Sequence, residues 1–283
     1  MNRHSRRIRF LACTLAFGLI ALPRATMVAQ SKRASYLGFD RNLYPGDQHL
    51  GTLRKTFSFA GYWLNPPPGE RQNTWSGKRK AIRAAGFGFL VLFNGRLDAE
   101  LKKVPDAALL GRSDAASAVE AARREGFPQG TIIFLDQEEG GRMLPEQKSY
   151  IYAWIDGVAE LAYEAGIYCS GIPAPEANGI AVTTANDIQQ SADGRHIAYW
   201  VVDDACPPSP GCAFPRNAPA PSRSGIPFAE VWQYAQSPKR RDVAGGCPAN
   251  YSRDENCYPP GLVKEKIFVD ANAATMQDPS HGR

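Results

Sequence analysis

The segment Gly130-Thr131-Ile132-Ile133-Phe134-Leu135-Asp136-Gln137-Glu138-Glu139-Gly140 limits the folds open to this chain more than any other. Four consecutive large apolar residues, flanked by glycines and ending abruptly in acid, read as a short strand buried on both faces. Strands of that kind belong to parallel sheets covered by helices. The same run places the chemistry. Side chains alternate along a strand, so Asp136 and Glu138 project to one side with their Cα atoms about 6–7 Å apart. Two carboxyl groups so close, at the mouth of an apolar scaffold, suit acid-assisted cleavage of a glycosidic bond; a solvated acidic turn is the competing reading.

Further apolar runs of strand length repeat the theme over Tyr36–Asp40, Thr56–Leu64, Phe87–Phe93, Ile167–Gly171, Ile197–Val202, Val231–Tyr234 and Lys266–Asp270. Helical periodicity separates them over Trp75–Ala85, from an N-cap at Ser113 or Asp114 to Arg124, over Glu146–Ala165 with Gly166 as its stop, and over Thr184–Ser191. Strands alternating mainly with helices over roughly 240 residues predict an α/β chain folded as a single (β/α)8 barrel of the TIM type, spanning 36–275. A doubly wound sheet is the rival, but Gly38-Phe39-Asp40 does not supply its Gly-rich phosphate turn. The Pro- and Ser-rich stretch Cys206–Pro227 is expected to be irregular, and the polar tail 276–283 to be frayed.

The N-terminus has a separate purpose. A basic start (Arg3, Arg6, Arg7, Arg9), an apolar run from Phe10 to Leu22 and a short polar-to-small segment make the three-part layout of an export signal over 1–29, followed by a linker over 30–35. Ser5-Arg6-Arg7 resembles a twin-arginine signal; a general secretory signal and an uncleaved anchor are the alternatives. The formal net charge of +5 comes from this segment, whose five arginines face no acid, so its removal leaves 28 basic and 28 acidic residues. A neutral mature chain gives no support to a nucleic-acid or anionic-membrane partner, so neither nucleic-acid binding nor stable membrane insertion after signal removal is expected. An exported monomer, periplasmic, wall-associated or extracellular, is expected. Export also suits disulfides: Cys206 and Cys212 flank one loop and Cys247 and Cys257 another, so two local pairs are expected, with Cys169 a buried free thiol. A zinc site for the four loop cysteines is the other reading, although their spacings lack the short gaps of zinc knuckles.

In a barrel the C-terminal strand ends converge on one face. Asp40, Asp136, Glu138, Asp203 and Asp270 fall at such ends and would form an acidic bowl, although Asp203, Asp204 and Asp270 could each cap a turn instead. Tyr62, Trp63, Tyr168, Trp200, Trp232 and Tyr234 lie near the same ends, where aromatic planes could pack on the apolar faces of sugar rings or serve simply as core. The four histidines are scattered, so neither a metal site nor a cofactor is expected, and no nucleophile elbow is present.

Taken together, Gly38-Phe39-Asp40, Asp136-Gln137-Glu138, Gly166-Ile167-Tyr168-Cys169-Ser170, Trp232-Gln233-Tyr234 and Val269-Asp270-Ala271-Asn272 resemble the family-25 glycoside hydrolases, and more closely the exported glycoside-hydrolase-like domains that share their barrel. The resemblance covers roughly residues 35–275 and rests on motif order along the strands. It implies activity on peptidoglycan-type cell-wall glycan, with Glu138 as general acid. Asp136 would stabilise positive charge or orient the acetamido group, and Asp40 and Asp270 would complete an acidic floor. It also implies Glu138 protonated and Asp136 ionised. A catalytically inactive glycan-binding protein using Trp63, Trp200 and Trp232 is the alternative from another class, and a metal-dependent hydrolase built on the acids a third.

Overall fold

The computed structural model describes Met1 and residues 34–177, 179–241, 246 and 250–283. The expected export signal, most of the linker, and Cys247 lie outside the described residues. In chain order the strands are β1 (Tyr36–Asp40), β2 (Phe59–Trp63), β3 (Gly88–Asn94), β4 (Ile132–Asp136), β5 (Glu164–Ser170), β6 (Ala174–Pro175), β7 (Ala181–Val182), β8 (Ala198–Val202), β9 (Val231–Ala235) and β10 (Asp270–Ala274). The pair β6–β7 forms a small antiparallel sheet of its own, and the other strands close a barrel in the order β1-β10-β9-β8-β5-β4-β3-β2. The chain is therefore a TIM-type α/β barrel.

Its closure differs from the expected one. The first seven barrel strands are parallel, but β10 returns antiparallel to both β1 and β9. The apolar run Lys266–Val269 is not strand: Lys266 turns at φ 52°, and Ile267 and Val269 bury outside the ladder. Asp270-Ala271-Asn272-Ala273-Ala274 contains no β-branched or aromatic residue, so local preference does not mark it as strand; hydrogen-bonded neighbours on both sides impose the conformation. Asp270 thus stands at the first residue of its strand. The reversed direction is what puts it beside Asp40 on the rim that the parallel strands reach with their C-terminal ends.

The helices are α1 (Leu50–Leu53), α2 (Arg79–Ala84), α3 (Asp98–Leu101), α4 (Ala107–Glu125), α5 (Pro145–Glu160) and α6 (Thr184–Gln190). The start of α4 lies earlier than Ser113: Asp106 caps it by accepting a 2.9 Å bond from the Leu109 amide, and Asp114 is instead a buried partner of Arg96 and Tyr150. The end of α5 also falls earlier than Ala165. Ala162 adopts a left-handed conformation (φ 64°), β5 begins at Glu164, and Gly166 sits inside that strand, where a Cβ would collide with the Phe134 ring. The two long helices approach closely because Gly111 of α4 meets the backbone of Tyr150 and Trp154 on α5, leaving no room for a side chain. From Cys206 to Pro227 the chain is irregular apart from a 3-10 turn at Pro221–Ser224.

Large side chains including Phe39, Phe57, Phe59, Phe87, Phe89 and Trp154 are fully buried in one continuous core. Each contributes about 1.5–3 kcal/mol of burial free energy. The end of the barrel opposite the rim is closed by the polar tail, which is docked rather than frayed. Ser280 Oγ accepts from the Val91 amide at 2.8 Å, its backbone N–H donates to the Phe89 carbonyl at 2.9 Å, and its carbonyl accepts from the Ile132 amide at 2.9 Å. Asp278 accepts from the Phe89 amide at 2.7 Å. These amides belong to the buried starts of β3 and β4, where water cannot serve them.

The cysteine pairing is also corrected. Cys212 is bonded to Cys257, across 45 residues with a Cα–Cα distance of 5.3 Å, so neither Cys206–Cys212 nor Cys247–Cys257 forms. The irregular stretch folds back over the segment before β10, which brings cysteines from different loops together. Cys169 is a buried free thiol.

Candidate active site at the barrel mouth

Alternation along the strands decides which rim residues face inward. Asp40 on β1, Asp136 at the end of β4, Glu138 just beyond it and Asp270 on β10 line a recess of about 50 Å³, with Trp63, Tyr168 and Trp200 in its wall. Register makes them neighbours: Asp40 pairs with Asp270, Asp136 with Tyr168, and Tyr168 with Trp200. Tyr62, Trp232 and Tyr234 occupy the opposite phase and are not brought to the site. Tyr62 turns outward to bond Glu125 and pack on Phe127. Trp232 donates to the Asp203 carbonyl and Tyr234 to the Ala213 carbonyl, both outside the recess. The three inward aromatics are themselves at most 6% exposed, so they shape the wall more than they offer a stacking platform.

A chain of directed hydrogen bonds fixes the floor. Trp200 Nε1 donates to Asn272 Oδ1 (2.9 Å), and Asn272 Nδ2 donates to Asp40 Oδ1 (2.7 Å). From the other side Gln236 Nε2 donates to Tyr168 Oη (3.3 Å), Tyr168 Oη to Gln233 Oε1 (2.8 Å), and Gln233 Nε2 to Asp40 Oδ1 (3.0 Å). Both arms end on one carboxylate oxygen, and each indole and phenol donor sets the orientation of the amide beside it. The residues that reading the sequence for chemistry missed are Gln233, Gln236 and Asn272. The available signal was a polar residue in the inward phase of an apolar strand, as Gln233 is between Trp232 and Tyr234.

Burial pushes Asp40 up to about 6, against the Asn272 and Gln233 donors that favour its charge. Burial likewise raises Asp270 well above the usual carboxylate range, reinforced by the Asp40 charge and countered by the Ser237 amide at 2.6 Å. Asp136 is likewise raised well above the usual carboxylate range: burial is the main cause, the Glu138 and Asp40 charges add to it, and its hydrogen bond to Glu138 favours its protonated form. Glu138 is also raised by burial, but Arg240 and the bond from Asp136 oppose this. The hydrogen bond between them favours the proton on Asp136 and the charge on Glu138, whereas the resemblance implies the opposite order. Depth explains it, because Glu138 is open to solvent on one side and faces a cation while Asp136 has neither advantage.

The remaining acids serve structure. Glu139 accepts from the Asp98 amide (2.8 Å) and from Gln147 Nε2, joining the start of α3 to α5. Asp203 accepts from the Ala205 amide (3.2 Å) in its own turn, and Asp204 pairs with Arg240 at 3.4 Å. Among the described residues no cluster of His, Cys, Asp and Glu could hold a metal ion.

A closed TIM-type barrel whose mouth gathers buried acids on a fixed polar floor defines a glycoside-hydrolase-like protein. The family model described as "Rv2525c-like, glycoside hydrolase-like domain" matches residues 57–208, more than half of the chain, and the chain belongs to that family. Among solved structures, an uncharacterized protein of B. stearothermophilus is similar in fold, with a TM-score of 0.53 and 20% identity over 84% of this chain and 95% of that one. The Tat-secreted protein Rv2525c of Mycobacterium tuberculosis, in complex with L-tartrate, aligns with a TM-score of 0.49 and 14% identity over 85% and 94% of the two chains. The catalytic domain of endolysin ply40, from bacteriophage P40 of Listeria monocytogenes, aligns at 0.47 and 16% over 86% and 95%. No curated protein matches the chain in sequence.

Proposed function

We propose that this protein is an exported glycoside hydrolase acting on cell-wall glycan of the peptidoglycan type, with Glu138 and Asp136 as its acid pair. The observation that carries the reading is the hydrogen-bonded Asp136–Glu138 pair, sharing a recess with Asp40 and Asp270 on a floor of directed donors. Raised carboxyl pKa values are what an acid catalyst working near neutrality needs. Export rests on the basic and apolar layout of residues 1–29.

The reaction uses one proton. When a glycosidic oxygen approaches Glu138, the Asp136 proton passes along the shared hydrogen bond to Glu138. Glu138 then gives it to the leaving oxygen as the bond from the anomeric carbon to that oxygen breaks. Asp136, now a carboxylate, faces the positive charge developing on the sugar. Water adds its oxygen to the anomeric carbon, and its proton returns to Glu138 and then to Asp136.

Mass spectrometry of products from purified peptidoglycan and from chitin oligomers tests this. The native protein is expected to release defined sugars, and Glu138→Gln to lower kcat by about 10²–10⁴ while still binding. If neither protein releases sugar but the native form co-sediments with the wall, the barrel is a binding protein and the hydrolase reading fails.

A further inference from the structure

Beside the acidic recess lies a larger cleft of about 400 Å³ that shares Asn42, Glu138 and Asp270 with it. Arg41 lines this cleft, its guanidinium lying 5.5 Å from the Phe268 ring centroid. Its Nε and Nη1 atoms are sealed from water and have no hydrogen-bond acceptor, and among the described residues it makes no ion pair. Other arginines keep at least one partner: Arg96 is paired with Asp114, Arg195 with Asp156, Arg54 bonds the Gly86 and Phe57 carbonyls, and Arg79, whose Nε also lacks an acceptor, bonds the Gly282 carbonyl through Nη2. A guanidinium enclosed without an acceptor is costly to keep unless something else supplies the oxygen. Asp270 attracts Arg41 through space, but among the described residues no hydrogen bond or close ion pair joins the two.

We infer that Arg41 is an anchor for a carboxylate carried by the saccharide, so that the cleft selects acidic sugars with a free carboxyl group next to the bond at Glu138. Nη2, the guanidinium nitrogen that is not sealed, meets the carboxylate, while the group stays braced on the Phe268 ring. Glu70 and Glu138, which share the cleft, disfavour an anion elsewhere in it and restrict the carboxylate to the Arg41 end. In peptidoglycan the lactyl carboxyl is free only where no peptide is attached, so the anchor would favour peptide-free glycan. This inference rests on the glycan-hydrolase reading of the same site.

Isothermal titration of the purified protein separates the two. The ligands are a peptidoglycan disaccharide with its lactyl carboxyl free, the same disaccharide as its primary amide, and glucuronate. The native protein is expected to bind the free acid at least 10-fold more tightly than the amide, and Arg41→Gln to bring the two within 2-fold of each other. The native ratio needs no variant, so a poorly folded Arg41→Gln leaves the test intact. Equal binding of acid and amide by the native protein overturns the anchor while leaving the glycan reading in place. Binding of glucuronate alone, lost in Arg41→Gln, keeps the anion site and removes the glycan reading. Binding of none of the three overturns both.

Discussion

Replacing Asp40 with Asn measures what the acidic floor costs the fold. Asp40 is 4% exposed, and its pKa stands at about 6 against an ordinary 3.8. That gap corresponds to about 3 kcal/mol. A carboxyl raised in the fold binds its proton more tightly folded than unfolded. Its penalty is therefore absent below about pH 3.8, grows as the pH rises, and is complete above about pH 6. Asn removes the charge but keeps the oxygen that accepts from Asn272 and Gln233. Asp40→Asn is expected to be more stable than the native protein by up to about 3 kcal/mol at pH 7.5, or about 6–12 °C in Tm, and nearly equal to it at pH 4. Removing this charge also relieves Asp136 and Asp270, both of which it raises. Urea denaturation followed by tryptophan fluorescence at pH 4.0, 5.5 and 7.5 reads the difference directly. An Asn variant no more stable at pH 7.5, or one that gains equally at pH 4.0, refutes the claim that the floor holds a strained carboxylate. Sugar release should fall in the same variant, since stabilisation with loss of activity is the mark of a site kept for chemistry.

Removing residues 277–283 strips the Phe89, Val91 and Ile132 amides of their partners, at about 1–3 kcal/mol each, so the urea midpoint should fall sharply. An unchanged midpoint would show that the tail does not close the barrel. Mass spectrometry of non-reduced peptides should find Cys212 linked to Cys257, and losing that 45-residue closure should cost about 4 kcal/mol in the chain-entropy account. A Cys206–Cys212 peptide would contradict the structure.

The strand pattern was legible because short doubly buried strands are locally distinctive. Runs such as Ile132–Leu135 and Ala198–Val202 announce themselves by composition, and they sufficed for a barrel with acids at its rim. The same alternation could have separated Trp63 from Tyr62, and Gln233 from Trp232 and Tyr234, because register along one strand is a local property. Other features depend on partners distant in the chain. The strand Asp270–Ala274 exists because β1 and β9 flank it, more than thirty residues away in one case and over two hundred in the other. The Cys212–Cys257 bond and the docked tail likewise join segments that no local spacing relates. So does the division of labour between the acids: the sequence alone determined that two acids lie side by side, whereas the depth of Asp136, the Asp40 charge near it and the Arg240 charge that acts on Glu138 set how far each is pushed toward its protonated form. Electrostatic burial sums over everything within several ångströms, and only the folded chain brings those groups together.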